Sequence, residues 1–164
     1  VQMRVKEAAR VCGVEEQLFN EHPFFLTKGL RQRVAIASIL AMRPKTIIVD
    51  EPTTGQDLRQ SIEVMDFLKD LWEKEGHTII IITHEMPIVA QYAKRTVVLG
   101  QGRILLDGPT DEVFAQPEIL AKTFVKPPQI TQMAQRLHAY GFPKNILLVS
   151  EMYETFVSLY GNHS

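Results

Sequence analysis

The sequence predicts an α/β fold in which helices cover a parallel β-sheet. Two apolar runs of strand length, at 46–50 and 78–83, support this prediction. Strands that are apolar along their whole length are usually parallel and buried on both faces. The residues between these runs, 58–75, have apolar side chains at helical spacing and can form the crossover helix that two parallel strands need. The apolar face of this helix consists of Val64, Met65, Leu68, Leu71 and Trp72, all predicted to be core residues.

The composition is that of an ordinary globular protein. The 164 residues are 45% hydrophobic and 23% charged, with a net charge of -1. A net charge near zero favours neither nucleic acid nor an anionic membrane surface, so no nucleic-acid partner is predicted. No apolar run approaches the roughly 20 residues of a membrane span. The single cysteine, Cys12, excludes an internal disulfide and fits a reducing compartment.

The segment before the first strand is predicted to be helical. A short helix at 3–12 is expected to stop near Gly13, and a longer helix at 28–42 follows an irregular loop. Thr27 can cap the start of the longer helix, and Pro44 lies just beyond its end. This longer helix leads directly into the first strand.

The residues after the second strand are predicted to form a helix, a β-hairpin and a mainly helical tail. Gly100 and Gly102 mark the hairpin turn, and two adjacent prolines mark a linker. The predicted elements are a helix at 86–93, hairpin strands at 96–100 and 103–107, short helices at 110–115 and 117–124, a linker at 126–129, a helix at 130–137, a strand at 145–149 and a helix at 150–160.

Two adjacent carboxylates, Asp50 and Glu51, close the first apolar run in the segment IIVDEPTTGQD, 47–57. Neighbouring side chains of a strand point to opposite sides, so one carboxylate can hold Mg²⁺ while the other faces a nucleophilic water. Phosphoryl transfer needs this division of labour. A solvated strand end followed by a proline turn explains the same residues, and this motif alone leaves both interpretations open.

Two further groups are candidates for phosphate binding. His84 follows the second apolar run, and it would lie at the same sheet edge as the paired carboxylates if the strands are parallel. Its imidazole can donate a hydrogen bond to a phosphate oxygen, although a histidine there can equally be a capping residue. Thr27, Lys28 and Gly29 begin the longer helix, and helix N-termini bind phosphates. A capped helix with a basic first turn is the alternative.

In this order, the segments resemble the ATP-binding cassette (ABC) ATPases. LTKGLRQRVAIASIL resembles the signature segment, TIIVDEPTTGQD the Walker B strand with its D-loop, and TIIIITHE the switch-histidine loop. VVLGQGRILLDGPTDEVF is similar to the hairpin and helix that usually follow. The tail LAKTFVKPPQITQMAQRL looks like the C-terminal extension of energy-coupling factor importer ATPases of the cobalt and vitamin type, some of which carry two cassettes in tandem.

The resemblance implies a role for each candidate residue. Asp50 would help to hold Mg²⁺, Glu51 would orient or deprotonate the attacking water, and His84 would contact the γ-phosphate of ATP. Asp57 would belong to the D-loop, which crosses to a partner cassette. The helix start at 27–29 would touch the γ-phosphate of an ATP held mainly by that partner, because ABC sites lie between two cassettes.

Two departures from the family pattern bear on activity. Lys28 stands where the signature usually has glycine, and its side chain either crowds the close backbone approach that glycine allows or supplies a substitute cation. No glycine of the chain is followed by lysine, so the phosphate-binding P-loop (Walker A) is absent. The expected fold is therefore a partial P-loop NTPase fold lacking the P-loop strand. Residues 1–45 would belong to the helical signature subdomain, 46–125 to the ATPase core and 126–164 to a small C-terminal extension.

The expected function is that of an ATP-binding and ATP-hydrolysing segment of an ABC importer. It would work at the cytoplasmic face of the membrane as a peripheral subunit, with transmembrane subunits and a second cassette in a homodimer, a heterodimer or a tandem. Alone, the chain is expected to be inactive, and the unpaired edge of its first strand predicts self-association. The alternatives are a non-enzymatic self-associating fragment and a soluble ABC ATPase that does no transport.

Overall fold

The computed structural model describes residues 2–123 and 125–161 and consists of two compact units, Val1–Ile82 and Thr83–Ser164. In the first unit, short 3₁₀ turns lie between the first two helices. The elements of this unit are α1 (Gln2–Val11), α2 (Lys28–Leu40), β1 (Thr46–Asp50), α3 (Leu58–Glu73) and β2 (Thr78–Ile82), with 3₁₀ turns at Glu16–Asn20 and Pro23–Phe25.

The strands β1 and β2 pair in parallel, as predicted. Their register runs from Thr46 opposite Thr78 to Asp50 opposite Ile82. The connection between them is α3, which packs on β2, so the predicted β-α-β arrangement is confirmed. The side chains of α3 that are buried are Ser61, Val64, Met65, Phe67, Leu68 and Leu71.

Trp72 departs from the prediction that it is a core residue. It lies in the last turn of α3, and it remains 40% exposed. A large indole is seldom fully buried, and a helix end offers it fewer neighbours than the middle of the helix does. The adjacent Leu71 is only 1% exposed.

The sheet is buried on one face and exposed on the other. Ile47 is 2% exposed, whereas Ile48, Ile80 and Ile82 are 61%, 45% and 53% exposed. Because successive side chains of a strand point to opposite faces, and paired residues share a face, these three isoleucines form one apolar surface. We call it the apolar sheet face. The expectation that both faces are covered is therefore wrong for the described residues, among which the sheet has two strands only.

The second unit is built around an antiparallel hairpin, as predicted. The turn between its strands places Gln101 at φ 51° and Gly102 at φ 71°, the pair of left-handed residues that a tight hairpin turn requires. A core of Ala90, Val98, Val113, Phe114 and Leu120 fills this unit. Its elements here are α4 (Met86–Tyr92), β3 (Arg95–Gly100), β4 (Arg103–Pro109), α5 (Thr110–Phe114), α6 (Pro117–Leu120) and a 3₁₀ turn at Ala121–Thr123.

The C-terminal part of the second unit is helical and has its own small core. It contains α7 (Gln129–Arg136), a 3₁₀ turn at His138–Tyr140 and α8 (Val149–Tyr160). A second cluster of buried residues holds these elements together: Ala134, Phe142, Ile146 and Met152. The predicted three-part division at 45/46 and 125/126 stays a prediction. Leu147, which belongs to the predicted C-terminal extension, also packs against the hairpin core.

Two details of this part differ from the sequence predictions. The predicted strand at 145–149 does not form; instead the Glu151 carboxylate accepts hydrogen bonds from the backbone N–H groups of Leu147 and Leu148, at 2.7 and 3.1 Å. The Glu151 side chain thus caps the start of α8. In the predicted linker, Pro127 and Pro128 are buried rather than exposed. Within the described residues, no helix is both long and apolar enough to span a membrane.

Candidate functional site

Asp50 and Glu51 lie where β1 ends, as the sequence predicts. Asp50 is the last residue of the strand and is exposed. Glu51 continues the sheet with one further bond, since its backbone N–H donates to the carbonyl of Ile82 at 2.8 Å. Directly after this bond the chain turns away. The two carboxylates therefore leave the sheet at the carboxyl end of β1, which is the edge at which α/β sheets bind ligands.

Glu51 has an unusual backbone conformation. Its φ angle is 47°, in the left-handed region that residues with a side chain seldom adopt. Such a conformation costs on the order of 1–3 kcal/mol and persists only where surrounding contacts impose it, commonly at functional sites. One such contact is visible: the hydroxyl of Thr54 donates to Glu51 Oε2 at 2.8 Å. The carboxylate of Glu51 is thus held by a residue of the turn that follows it.

The turn after Glu51, which we call the 51–57 loop, is closed by its own hydrogen bonds. The backbone N–H of Thr54 donates to the carbonyl of Glu51 at 3.3 Å, and Gly55 takes the left-handed φ of 70°. Asp57 ends the loop and caps α3, because its Oδ1 accepts from the backbone N–H of Gln60 at 2.8 Å. The predicted D-loop residue is therefore also the residue that starts α3.

The helix α2 begins beside this loop. Thr27 caps α2 by accepting a hydrogen bond from the backbone N–H of Leu30 at 3.3 Å, as predicted. Lys28 does not extend freely into solvent: its ammonium donates to the carbonyls of Thr54 and Gly55, both at 2.9 Å. At Gly29, a Cβ atom would meet nothing within 4 Å, so the backbone there borders open space.

A second link joins α2 to the 51–57 loop. Gln32 Nε2 donates to the carbonyl of Pro52 at 2.7 Å. Gln56 Nε2 donates to that same carbonyl at 2.9 Å and to Gln32 Oε1 at 2.6 Å. Gln32, Gln56 and Thr54 are not among the site residues that the sequence predicts. The available signal was the four-residue spacing of Lys28 and Gln32, which places both side chains on one face of α2.

His84 belongs to the second unit. It follows the end of β2 by two residues and is exposed. The next backbone N–H, that of Glu85, donates to the hydroxyl of Thr83 at 3.1 Å, which shapes the turn leading into α4. The predicted position of His84 directly beyond the second strand is confirmed, and its role remains a prediction.

The chemistry of the first unit suits a magnesium ion only in part. Carboxylate oxygens such as those of Asp50 are the ligands that Mg²⁺ prefers, and Mg²⁺ commonly binds one or two carboxylates with water and phosphate oxygens. Among the described residues, no group of three or more His, Cys, Asp or Glu side chains could hold a metal alone. Asp50 fits a site that phosphate oxygens complete. The sequence contains no P-loop to hold those phosphates.

Comparison with known proteins finds similarity to ABC transporter proteins. The sequence model of the ABC transporter family matches residues 2–54. The chain is 46% identical over 152 residues to an ABC transporter ATP-binding protein of Caldanaerobacter subterraneus subsp. tengcongensis, a match that covers 93% of this chain and 26% of that relative. It is 38% identical over 156 residues to the energy-coupling factor transporter ATP-binding protein EcfA2 of the same organism, covering 94% of this chain and 54% of EcfA2. Over most of its length the chain is thus similar to ABC transporter ATP-binding proteins, and residues 2–54 match the ABC transporter family model.

A solved ABC ATPase has the same fold. The structure of cbiO1 from Clostridium perfringens, part of the ABC transporter complex cbiONQ, matches with a TM-score of 0.65 at 37% sequence identity. The match covers 82% of this chain and 53% of cbiO1. The chain thus spans about a quarter to about half of the length of these three ABC proteins. The predicted partial ABC ATPase fold is confirmed.

In terms of the ABC motifs that the sequence resembles, α2 begins with the predicted signature segment, and the 51–57 loop joins the predicted Walker B carboxylates to the predicted D-loop. The structure brings Lys28 of the signature segment and Thr54 of the D-loop into contact, and Thr54 in turn contacts Glu51. The similarity to EcfA2 and cbiO1 agrees with the resemblance to energy-coupling factor ATPases that the motifs indicate.

Proposed function

We propose that this chain is the C-terminal part of a cassette whose complete protein hydrolyses ATP and thereby drives import of a solute through a membrane partner. The observation that carries this proposal is the geometry at the end of β1. There Glu51 adopts a left-handed conformation and its carboxylate accepts a hydrogen bond from Thr54. A carboxylate in a fixed orientation, directly after a metal-binding type of carboxylate, suits the activation of a water for attack on a phosphate.

Each site residue has a role in this proposal. Asp50 would hold Mg²⁺, which supplies charge neutralisation for the phosphates when it is bound. Glu51 would orient the attacking water and accept its proton. His84 would donate a hydrogen bond to the γ-phosphate. Asp57 would position the D-loop against the partner cassette, in addition to capping α3.

The start of α2 would meet ATP from the partner side. The cap at Thr27 leaves the helix N-terminus ordered, and the open space at Gly29 leaves room for a phosphate to approach the backbone. The main chain of residues 27–29 would thus touch the γ-phosphate of an ATP that the second cassette holds. Such composite sites require two cassettes, in a homodimer, a heterodimer or a tandem.

The complete ATPase would attach to transmembrane subunits at the cytoplasmic face of the membrane. Support comes from the similarity to cbiO1, which is itself part of an ABC transporter complex. The 164 residues alone would be inactive, because they lack the lysine-bearing P-loop that grips the phosphates.

A second candidate function for the isolated chain is self-association without catalysis. The apolar sheet face, formed by Ile48, Ile80 and Ile82, favours it, since each of these side chains is at least 45% exposed. Strands with an open edge and an exposed apolar face pair readily with another chain. This candidate concerns the isolated chain and leaves the proposal for the complete ATPase unchanged.

A calorimetric titration of the purified chain with MgATP is the first test. No binding heat up to low millimolar ATP is the expected result, because Asp50, Glu51 and His84 have no phosphate grip to work with. Saturable binding of about one ATP per chain would contradict this account of the phosphate site. It would mean that the 164 residues form a self-sufficient nucleotide-binding domain.

The second test uses the complete ATPase. Glu51→Gln keeps the size of the side chain but removes its basicity, so kcat should fall by a factor of about 10² or more while ATP still binds. Glu75→Gln is the matched control, since Glu75 is exposed and lies between α3 and β2, at the other end of the sheet. Hydrolysis by Glu51→Gln at the unaltered rate would overturn the proposal.

A further inference from the structure

We propose that Lys28 is a positioning residue for Glu51, acting through the 51–57 loop. This inference rests on the proposed function, in which Glu51 activates the attacking water. In this proposal, the ammonium of Lys28 holds the loop that orients the carboxylate of Glu51, instead of binding the phosphate of ATP directly.

Lys28 contacts the 51–57 loop directly. Its ammonium lies 2.9 Å from the carbonyl oxygens of both Thr54 and Gly55. Two of its three N–H donors are therefore used by the main chain of the loop. Hydrogen bonds with an ionised donor are stronger than those between neutral groups. These two contacts attach the turn, which its own backbone hydrogen bonds close, to the start of α2.

Gly55 makes this contact possible. A Cβ atom at this position would lie 3.1 Å from the Lys28 ammonium nitrogen, and the residue has a left-handed φ of 70°. A side chain at Gly55 would therefore both strain the backbone and crowd the ammonium. Lysine in the signature segment and glycine in the D-loop fit together as a pair.

The 51–57 loop in turn contacts the carboxylate of Glu51. Thr54 takes part in both interactions: its carbonyl accepts from Lys28, and its hydroxyl donates to Glu51 Oε2 at 2.8 Å. One residue thus connects the ammonium of the signature segment to the carboxylate of the Walker B strand. Displacing the main chain at Thr54 would displace the hydroxyl that holds the carboxylate.

The link between Gln32 and Pro52 strengthens this arrangement. It lies one helical turn after Lys28 and holds the start of the same loop, with a bond of 2.7 Å. Side chains of α2 therefore hold the 51–57 loop at both ends of its turn. Because α2 begins at the proposed phosphate contacts Thr27 and Gly29, any movement of the helix start would reach Glu51 through Lys28.

Steady-state kinetics of the complete ATPase separate this role from direct phosphate binding. Lys28→Met removes the charge and the donors but keeps a chain of similar length. A positioning role predicts that kcat falls by about tenfold while the KM for ATP changes less than about twofold. A higher KM with unchanged kcat would overturn the inference, because it would show that the ammonium contacts ATP. Lys122→Met, at an exposed site in the second unit, is the control.

A double-mutant cycle tests the route through Thr54. If Lys28 acts on Glu51 through this residue, then combining Lys28→Met with Thr54→Val should lower kcat no further than the stronger single change does. Fully additive effects would contradict the route. Both results are read against Glu51→Gln: if that variant is as active as the unaltered ATPase, the proposed function itself has failed.

Hydrogen–deuterium exchange of the 164-residue chain tests the contact without ATP. Lys28→Met should speed exchange of the backbone amides in the 51–57 loop and leave those of β2 unchanged. Lys28→Arg, which restores a cationic donor, should recover part of the protection. Loop exchange that is the same in the unaltered chain and in Lys28→Met would overturn the inference, whatever the outcome of the kinetic measurements.

Discussion

The hydroxyl of Thr54 donates a hydrogen bond to the carboxylate of Glu51 across 2.8 Å, three residues along the same turn. This bond restricts the side chain of Glu51, and the backbone of that residue is already in the left-handed conformation. A general base must present its carboxylate to the attacking water, and the hydrogen bond from Thr54 restricts the orientations that this carboxylate can adopt. The turn thus contributes to orienting the proposed catalytic group.

Replacing Thr54 should therefore affect the rate of hydrolysis more than the binding of ATP. In the complete ATPase, Thr54→Val keeps the shape of the side chain and removes the hydroxyl, so we expect kcat to fall roughly tenfold, as for loss of one hydrogen bond to a charged group. Thr54→Ser keeps the hydroxyl and is the matched control, with nearly unaltered kcat. Equal rates for the valine and serine variants would exclude a role for this bond.

The backbone conformation of Glu51 predicts a conflict between stability and activity. Glycine adopts a positive φ without steric cost, whereas a residue with a Cβ atom loses about 1 kcal/mol there. Glu51→Gly should therefore be more stable to thermal unfolding than Glu51→Ala, and both variants should be inactive in the complete ATPase. The comparison is matched, because both changes remove the carboxylate and the bond to Thr54. Equal melting temperatures for the two variants would show that the conformation stores no strain.

The sequence predicts those parts of the fold that have a strong local pattern. The strands at 46–50 and 78–82 are runs of β-branched residues between turn signals, and they form almost as predicted. The predicted strand at 145–149 does not form, because its apolar side chains pack elsewhere: Ile146 joins a helical core and Leu147 packs on the hairpin. The N–H groups of Leu147 and Leu148 bond to Glu151 instead of a neighbouring strand.

The candidate site was predictable only where its residues are close in sequence. Asp50 and Glu51 are adjacent, and their place after an apolar run predicts their position at the sheet edge. The contact between Lys28 and Thr54 spans 26 residues, and no periodicity or motif records it. For the same reason, the sequence offers either a phosphate contact or a basic first turn of a capped helix as the role of Lys28, whereas its ammonium bonds to the carbonyls of Thr54 and Gly55.

Cys12 predicts a dependence of stability on alkaline pH. The residue is fully buried, and burial raises the pKa of its thiol from about 9 to about 11, against a smaller opposing effect of the Arg33 charge. The unfolded chain releases the thiol proton near its ordinary pKa, whereas the folded chain keeps it until about 11. The stabilising contribution of the protonated Cys12 thiol is therefore fully present below a pH of about 9, and it is lost as the pH rises through about 11.

Urea unfolding of the reduced chain at about pH 8 and about pH 10 measures this effect. The free energy of unfolding should fall between the two conditions, and it should fall less in Cys12→Ala, which has no thiol to ionise. Other alkaline groups affect both proteins alike, so the difference between their slopes isolates Cys12. Identical slopes would show that the thiol ionises as easily in the folded chain as in the unfolded chain.

The apolar sheet face predicts that the isolated chain self-associates. Ile48 lies opposite Ile80 in the register of β1 and β2, and both are exposed, so they form a continuous apolar surface. Burying such surface stabilises an assembly by roughly 25 cal/mol for each Å². Ile48→Thr combined with Ile80→Thr keeps β-branched side chains, which suit strands, but makes the surface polar. Analytical ultracentrifugation should then show a smaller fraction of dimers and of larger assemblies than for the unaltered chain at equal concentration.

Ile47→Thr is the control that separates surface association from unfolding. Ile47 is adjacent in the strand but only 2% exposed, so the same chemical change there should lower the melting temperature. Because partial unfolding exposes core residues, Ile47→Thr should increase assembly, whereas the double variant of Ile48 and Ile80 should decrease it. If assembly is unchanged in the double variant, the chain associates through another surface, and the apolar sheet face does not form the interface between copies.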